Sequence, residues 1–142
     1  MKVRPATSED CKTIHRFICE LENTQFDYSR FEEYYMRNLD NKDNIYLVAT
    51  DSETVTGFLS CHGQYLLHHM DKVFEIQELY VDENYRSQKA GQLLTEALEA
   101  ILKIQGYKYL EVASNIKRTN AHRFYISNGF AQTHYRFTKT LD

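Results

Sequence analysis

Residues 76–98 read IQELYVDENYRSQKAGQLLTEAL, and the fold is decided there. With Phe74 and Glu75 in front, the first part alternates Phe74, Ile76, Glu78 and Tyr80 against Glu75, Gln77, Leu79 and Val81. Both faces are mixed in character, as in a central strand used on both sides. The polar segment DENYRSQKAG follows. Leu93, Leu94, Ala97, Leu98, Ile101 and Leu102 then recur at helical spacing, the pattern of an amphipathic helix with one core face. Gly106 stands where a helix of that length ends. The first turn of a helix offers unpaired N–H groups and a partial positive charge, a place for a phosphate or pyrophosphate. Arg86 and Lys89 sit in the turn before it and can add charge-assisted hydrogen bonds, and Gly91 lets a ligand come close to the backbone. The same residues equally describe an ordinary strand-to-helix loop with solvated charges.

Working outward, Met1–Ala6 reads as a short strand with Pro5 near its end. Thr7-Ser8-Glu9-Asp10 is a helix start, a capping hydroxyl followed by an acid, and Cys11, Ile14, Ile18 and Leu21 continue at helical spacing. A second helix is expected from about Ser29 to Asn38. Ile45–Thr50 and Val55–Tyr65, joined by a turn at Asp51-Ser52-Glu53, form a hairpin. Beyond the central unit come a strand over Tyr109–Ala113, a short helix over Asn120–Ser127 closed by Asn128-Gly129, and a last strand over Phe130–Leu141. The order is βααβββαβαβ: an α/β protein with a mixed sheet flanked by about four helices.

The chain has 142 residues, enough for one domain with one core, and carries a net charge of −3 with its basic residues dispersed. A nucleic-acid binder normally shows a basic stripe, so neither nucleic acid nor a membrane is the expected partner. With no apolar stretch of signal or membrane-spanning length, a cytoplasmic protein is expected. Cys11, Cys19 and Cys61 are scattered and odd in number, which fits reduced thiols better than disulfides or a zinc site. The composition is rich in tyrosine, with 11 Tyr and 8 Phe. Most of these are expected to fill half-buried strand positions.

The segment Arg86-Ser87-Gln88-Lys89-Ala90-Gly91 resembles the acetyl-coenzyme A motif of the GNAT N-acetyltransferase superfamily, Arg/Gln-x-x-Gly-x-Gly/Ala, with Lys89 in place of the first glycine. Ala121-His122-Arg123-Phe124-Tyr125 with Asn128-Gly129-Phe130 looks like the superfamily's later A-x-x-x-Y…GF segment, and RPAT before a capped helix is similar to its start. The resemblance covers nearly the whole chain, so residues 1–142 are expected to form one acetyltransferase domain. Within the superfamily, CELENTQFD, LLHH, EIQELYV, NIKRTNAHRFY and HYRFTKTL look like the aminoalkylphosphonate N-acetyltransferases.

The resemblance implies direct attack of an amine on the thioester of acetyl-coenzyme A. It places oxyanion and pantetheine contacts on backbone groups of Leu79, Tyr80 and Val81, on a strand that carries a bulge in this superfamily. Phosphate contacts fall on Arg86, Ser87, Gln88, Lys89, Ala90 and Gly91. Asn115, Arg118 and Asn120 would touch pantetheine or phosphates, Asn120 having a plain helix cap as its alternative. Tyr125 matches the position of the acid that protonates the coenzyme A thiolate. Glu78 is the candidate base, acting through a water, with Glu75 as the fallback.

Glu20 and Asp27, beside Glu22, stand where an acceptor ammonium would be held; acidic residues at a helix end are also a common solvated face. His68 and His69 with Asp71 are candidates for an anion or a divalent metal, which the phosphonate enzymes use, but no ligand set stands out. Arg136 is the expected phosphonate anchor, because a planar guanidinium pairs two anionic oxygens. The expected acceptor is a small aminoalkylphosphonate. A polyamine, another small amine, a protein amine, or a non-catalytic acetyl-coenzyme A sensor are the alternatives. A homodimer is expected by the same resemblance.

Overall fold

Asp10 anchors the start of the chain. In the computed structural model, which describes residues 1–142 apart from the side chain at position 87, its carboxylate accepts the Thr7 N–H at 2.8 Å and both Arg4 Nη groups at 2.8 and 2.9 Å. The acid half of the expected cap is thus made, and it ties the strand Lys2–Pro5 (β1) to the helix Cys11–Glu22 (α1). Asn23 closes α1 in the left-handed conformation, φ 50°. Asp27 then accepts the Arg30 N–H at 2.9 Å and caps the helix Tyr28–Asp40 (α2). The strands Asn44–Asp51 (β2), Thr54–Leu66 (β3) and Asp71–Val81 (β4) form two hairpins. The helix Ala90–Ile104 (α3), the strand Tyr109–Val112 (β5) and the helix Thr119–Ser127 (α4) complete the order.

The sheet runs β1-β2-β3-β4-β5, antiparallel through β4, with β5 parallel to β4 after the crossover through α3. Alternation along the strands sends side chains to opposite faces. Leu47, Ala49, Leu59 and Cys61 pack with Phe74 and Ile76 against Ala90, Leu94, Leu98 and Leu102 of α3. Tyr46, Val48, Phe58 and Tyr80 pack on the other face against Ile14, Phe17 and Tyr35 of α1 and α2.

One feature follows the resemblance, a bulge on β4, and another, at the C-terminus, departs from the expected pattern. The register between β3 and β4 shifts between Ser60, opposite Glu78, and Cys61, opposite Ile76, so Gln77 is an extra residue on β4. A bulge of one residue reverses the faces beyond it. Leu79 and Val81, not Glu78 and Tyr80, therefore continue the α3 face begun by Phe74 and Ile76. The strand expected over 130–141 does not form: residues 131–142 are exposed and join no ladder, with Tyr135 at 89% and Phe137 at 92% exposure. Its alternation suits a strand, but a strand needs a free edge to pair with, and the tail does not turn back onto β5. The order within the chain is βααβββαβα. Among the described residues no helix is long and apolar enough to cross a membrane.

Candidate active site

The bulge at Gln77 and the short β5 ladder together open the sheet at one place. The β4–β5 ladder ends at Ile76 opposite Val112, leaving residues 77–81 of β4 without a strand partner on that side. The Glu78 N–H is turned to Ser60 on β3, 3.0 Å, and the Asp82 N–H to Thr56 O on β3, 2.8 Å. Successive N–H groups of an extended strand point to alternate edges. Leu79 and Val81 thus direct their N–H groups into the gap beside β5, and Tyr80 directs its own to β3. Of the three backbone positions expected to line the acetyl site, two face the gap.

The turn expected to hold phosphates adjoins the same strand. Arg86 donates through Nε to Val81 O at 3.0 Å, and its guanidinium carbon lies 5.4 Å from the centre of the Tyr80 ring. Glu83–Gln88 form a 3-10 turn capped by Asp82, which accepts the Asn84 N–H at 3.0 Å. Lys89 then takes φ 62°, ψ 25° immediately before Ala90, the first residue of α3. That is the left-handed region, which a side chain enters at some cost, and Lys89 takes it where the motif that this segment resembles has glycine. Gly91 serves packing: a Cβ there would lie 3.3 Å from the Phe124 ring of α4. Gln88 and Lys89 are exposed and Ala90 is buried. Ser87 is expected to touch a phosphate through a side chain that lies outside the described structure.

Tyr125 follows Phe124 on α4 and packs edge-on to Phe130, ring centres 5.6 Å apart. Burial raises its phenol above the ordinary value of 10.0, with the charge of Arg118 pulling the other way. The group therefore keeps its proton at neutral pH, as an acid must. Arg118 bridges to the end of α1: its Nη2 donates to Leu21 O at 3.3 Å and lies 3.5 Å from Glu22. Asn115 orders the loop, its side chain accepting Lys117 N–H at 2.9 Å and its carbonyl accepting Arg118 N–H at 3.0 Å. Asn120 is not the cap of α4, whose cap position is Arg118; it accepts from Arg123 at 3.2 Å.

The Glu78 side chain lies on the face of α1 and α2, in contact with Ser60, and its charge acts on Tyr46 and His62. Further along β4, the Tyr80 hydroxyl donates to Glu20 of α1. Glu20 lines an open hollow of about 500 Å³ with Arg16, Cys19 and the Asn23–Gln25 loop. Arg16 in turn lies 3.4 Å from Asp82. Glu20, Tyr80, Arg86 and Val81 thus form one connected group. Ser60, Arg16 and Asp82 belong to this region without having drawn attention in the sequence, because their roles depend on strand register and helix placement.

Three further expected contact residues have settings of their own. Asp27 is occupied in capping α2. His68 sits in the β3–β4 turn, roughly 25 Å along β4 from Leu79 at about 3.3 Å per residue, its ring tilted 58° to that of His69, which lies 3.9 Å from Glu111. Arg136 is on the exposed tail. Among the described residues no group of three or more His, Cys, Asp or Glu comes together to hold a metal.

A split between β4 and β5, inward N–H groups, a basic turn and a helix N-terminus suit a thioester carried on a pyrophosphate-bearing arm. Residues 15–130 match the model of the Acetyltransferase (GNAT) family, and the chain belongs to that family of acetyl-transferring enzymes, whose co-substrate is acetyl-coenzyme A. Over 140 residues, 99% of this chain and 91% of the relative, it is 39% identical to the aminoalkylphosphonate N-acetyltransferase of Salmonella typhimurium strain LT2. The same fold occurs in a transcriptional regulator from Bacillus halodurans C-125, with TM-score 0.89 at 19% identity over 99% of both chains. It occurs also in an aminoglycoside acetyltransferase from an uncultured soil metagenomic sample, with TM-score 0.83 at 20% identity over 99% of this chain and 96% of that one.

Proposed function

We propose that the acceptor is the primary amine of a small aminoalkylphosphonate. The observation that carries this is the 39% identity, over nearly the whole chain, to an enzyme named for that substrate. In this reading Glu78 takes a proton from the acceptor ammonium through a water, and the freed amine attacks the thioester carbonyl. The N–H groups of Leu79 and Val81 meet the charge that develops on the carbonyl oxygen. As the carbon–sulfur bond breaks, the Tyr125 hydroxyl protonates the departing thiolate. Arg86, Gln88, Lys89 and the first turn of α3 hold the coenzyme A phosphates, and Glu20 stands at the acceptor side. Asn115 and Asn120 keep the proposed coenzyme contacts of their loop, and a divalent metal remains part of the assay because the phosphonate is an anion. Arg136 reaches an acceptor only if the tail is laid over a site.

The three cysteines are buried and free, which suits the reducing cytoplasm where we place the enzyme. We also propose a homodimer. The tail carries exposed Tyr135, Phe137 and Leu141, and β5 is an open sheet edge; pairing the two between copies would satisfy both.

The test is free-thiol release from acetyl-coenzyme A with aminomethyl-, 1-aminoethyl- and 2-aminoethylphosphonate, spermidine and a lysine peptide, with and without divalent metal. Turnover on the phosphonates is expected. Turnover confined to spermidine or the peptide would discard the phosphonate reading, and binding without turnover would favour a sensor.

A further inference from the structure

Ser60 is fully buried on β3, directly opposite Glu78 in the ladder, with Tyr46 of β2 opposite it on the other side. It stands at the register shift that admits the extra residue Gln77 on β4. A bulge leaves a donor out of the regular ladder, and a buried N–H without an acceptor is costly. Here the Glu78 N–H donates to Ser60 Oγ at 3.0 Å. The Ser60 hydroxyl has a single proton, and it is directed to Glu78 Oε1. One hydroxyl therefore grips residue 78 twice, at its backbone and at its carboxylate.

This arrangement has a chemical consequence. With Oε1 engaged, Oε2 has no hydrogen-bond partner among the described residues and is the oxygen left to take a proton. A hydroxyl that donates to Oε1 while accepting from the backbone of the same residue also fixes the carboxylate's rotamer. An untethered glutamate on a strand samples several. Cys at position 60 would fill a similar volume but provide only a weak grip.

We propose that Ser60 is a positioning residue for the reaction, holding the Glu78 carboxylate so that Oε2 faces the acceptor amine or its bridging water. The proposal rests on the reading of Glu78 as the base. It gives the bulge a second role: besides turning the Leu79 and Val81 N–H groups into the gap, it brings residue 78 level with Ser60.

A double-mutant cycle tests it, using Ser60→Ala, Glu78→Gln, the combination, and Ser60→Thr and Ser60→Cys, each checked for folding by thermal melting. kcat and both KM values are measured with the best acceptor of the panel. Ser60→Ala is expected to lower kcat by about ten- to a hundredfold, the scale of a misplaced catalytic group, with the acetyl-coenzyme A KM within about twofold. In the Glu78→Gln background the same change should cost nothing further. Thr, which keeps the hydroxyl, should recover most of the rate, and Cys, which keeps the volume, only part. An equal loss in both backgrounds, or an unchanged kcat in Ser60→Ala, overturns the positioning role. Should Glu78→Gln alone retain full kcat, the base reading falls instead, and that single variant separates the two failures. If Thr proves too large for the buried site, the Ala–Gln cycle with Cys still decides.

Discussion

The Tyr80 hydroxyl on β4 donates to the Glu20 carboxylate on α1, across 60 residues of sequence. Burial first, and then the bond to Glu20, push the Tyr80 phenol up to about 12, with Arg86 pulling it down. Tyr80 therefore stays a neutral donor, and the pair fixes the C-terminal part of α1 to β4, next to the gap left beside β5. Tyr80→Phe removes the donor while Glu20 remains partly solvated, its side chain 42% exposed. Stability should fall by only about 1 kcal/mol, measured by urea unfolding. KM for the amine should rise several-fold with the acetyl-coenzyme A KM little changed. An unchanged amine KM would remove Glu20 from the acceptor side.

Lys89 offers a separate test of the phosphate loop. Its left-handed backbone, φ 62°, carries a strain of about 1–2 kcal/mol for a residue with a Cβ. Lys89→Gly relieves it, and the greater freedom of glycine in the unfolded chain offsets about 0.5–1 kcal/mol. The melting temperature should therefore hold or rise slightly. If the ammonium reaches a phosphate, the KM for acetyl-coenzyme A should increase and its salt dependence weaken. A glycine variant with unchanged KM would show that Lys89 only turns the chain.

Acid should loosen the N-terminal anchor. Burial raises the Asp10 carboxyl, but the paired Arg4 guanidinium and the Thr7 donors outweigh it and hold it below the ordinary 3.8. A group with a lowered folded value contributes stability above its unfolded value and loses it as pH falls through the folded one. Asp10→Asn should cost about 1–3 kcal/mol at pH 7, towards the low end because the Arg4 side chain is 41% exposed. The difference between the variant and the parent should shrink below about pH 4, read as unfolding midpoints across pH.

Tyr125 predicts the alkaline limb of the rate. Its proton is held above the ordinary 10.0 by burial, so the acid form persists through neutral and mildly alkaline pH. The kcat of the parent should hold to about pH 9 and decline only beyond the ordinary tyrosine range. Tyr125→Phe should lower kcat by about a hundredfold or more and abolish that limb. A limb that survives in the variant belongs to another group.

The element order up to α4 was legible in the sequence because each element carries its own periodicity. The α3 stripe of Leu94, Leu98 and Leu102 became the core face of that helix, and the turn after β4 fell where Arg86 and Lys89 said it would. Tyr125 and Glu78 were marked only through the resemblance to the superfamily's motifs. Strand faces were a different matter. One extra residue, Gln77, exchanged the sides of everything after it on β4, and a register shift is set by the neighbouring strand, not by the strand's own alternation. For the same reason Ser60 was invisible until β3 and β4 were paired, and that Asp27 caps α2 showed only once that helix was placed. The tail has a strand's pattern but is not paired with the β5 edge of its own chain. Periodicity can state that a segment is suited to pair; which partner it meets is a non-local choice that only the folded arrangement makes.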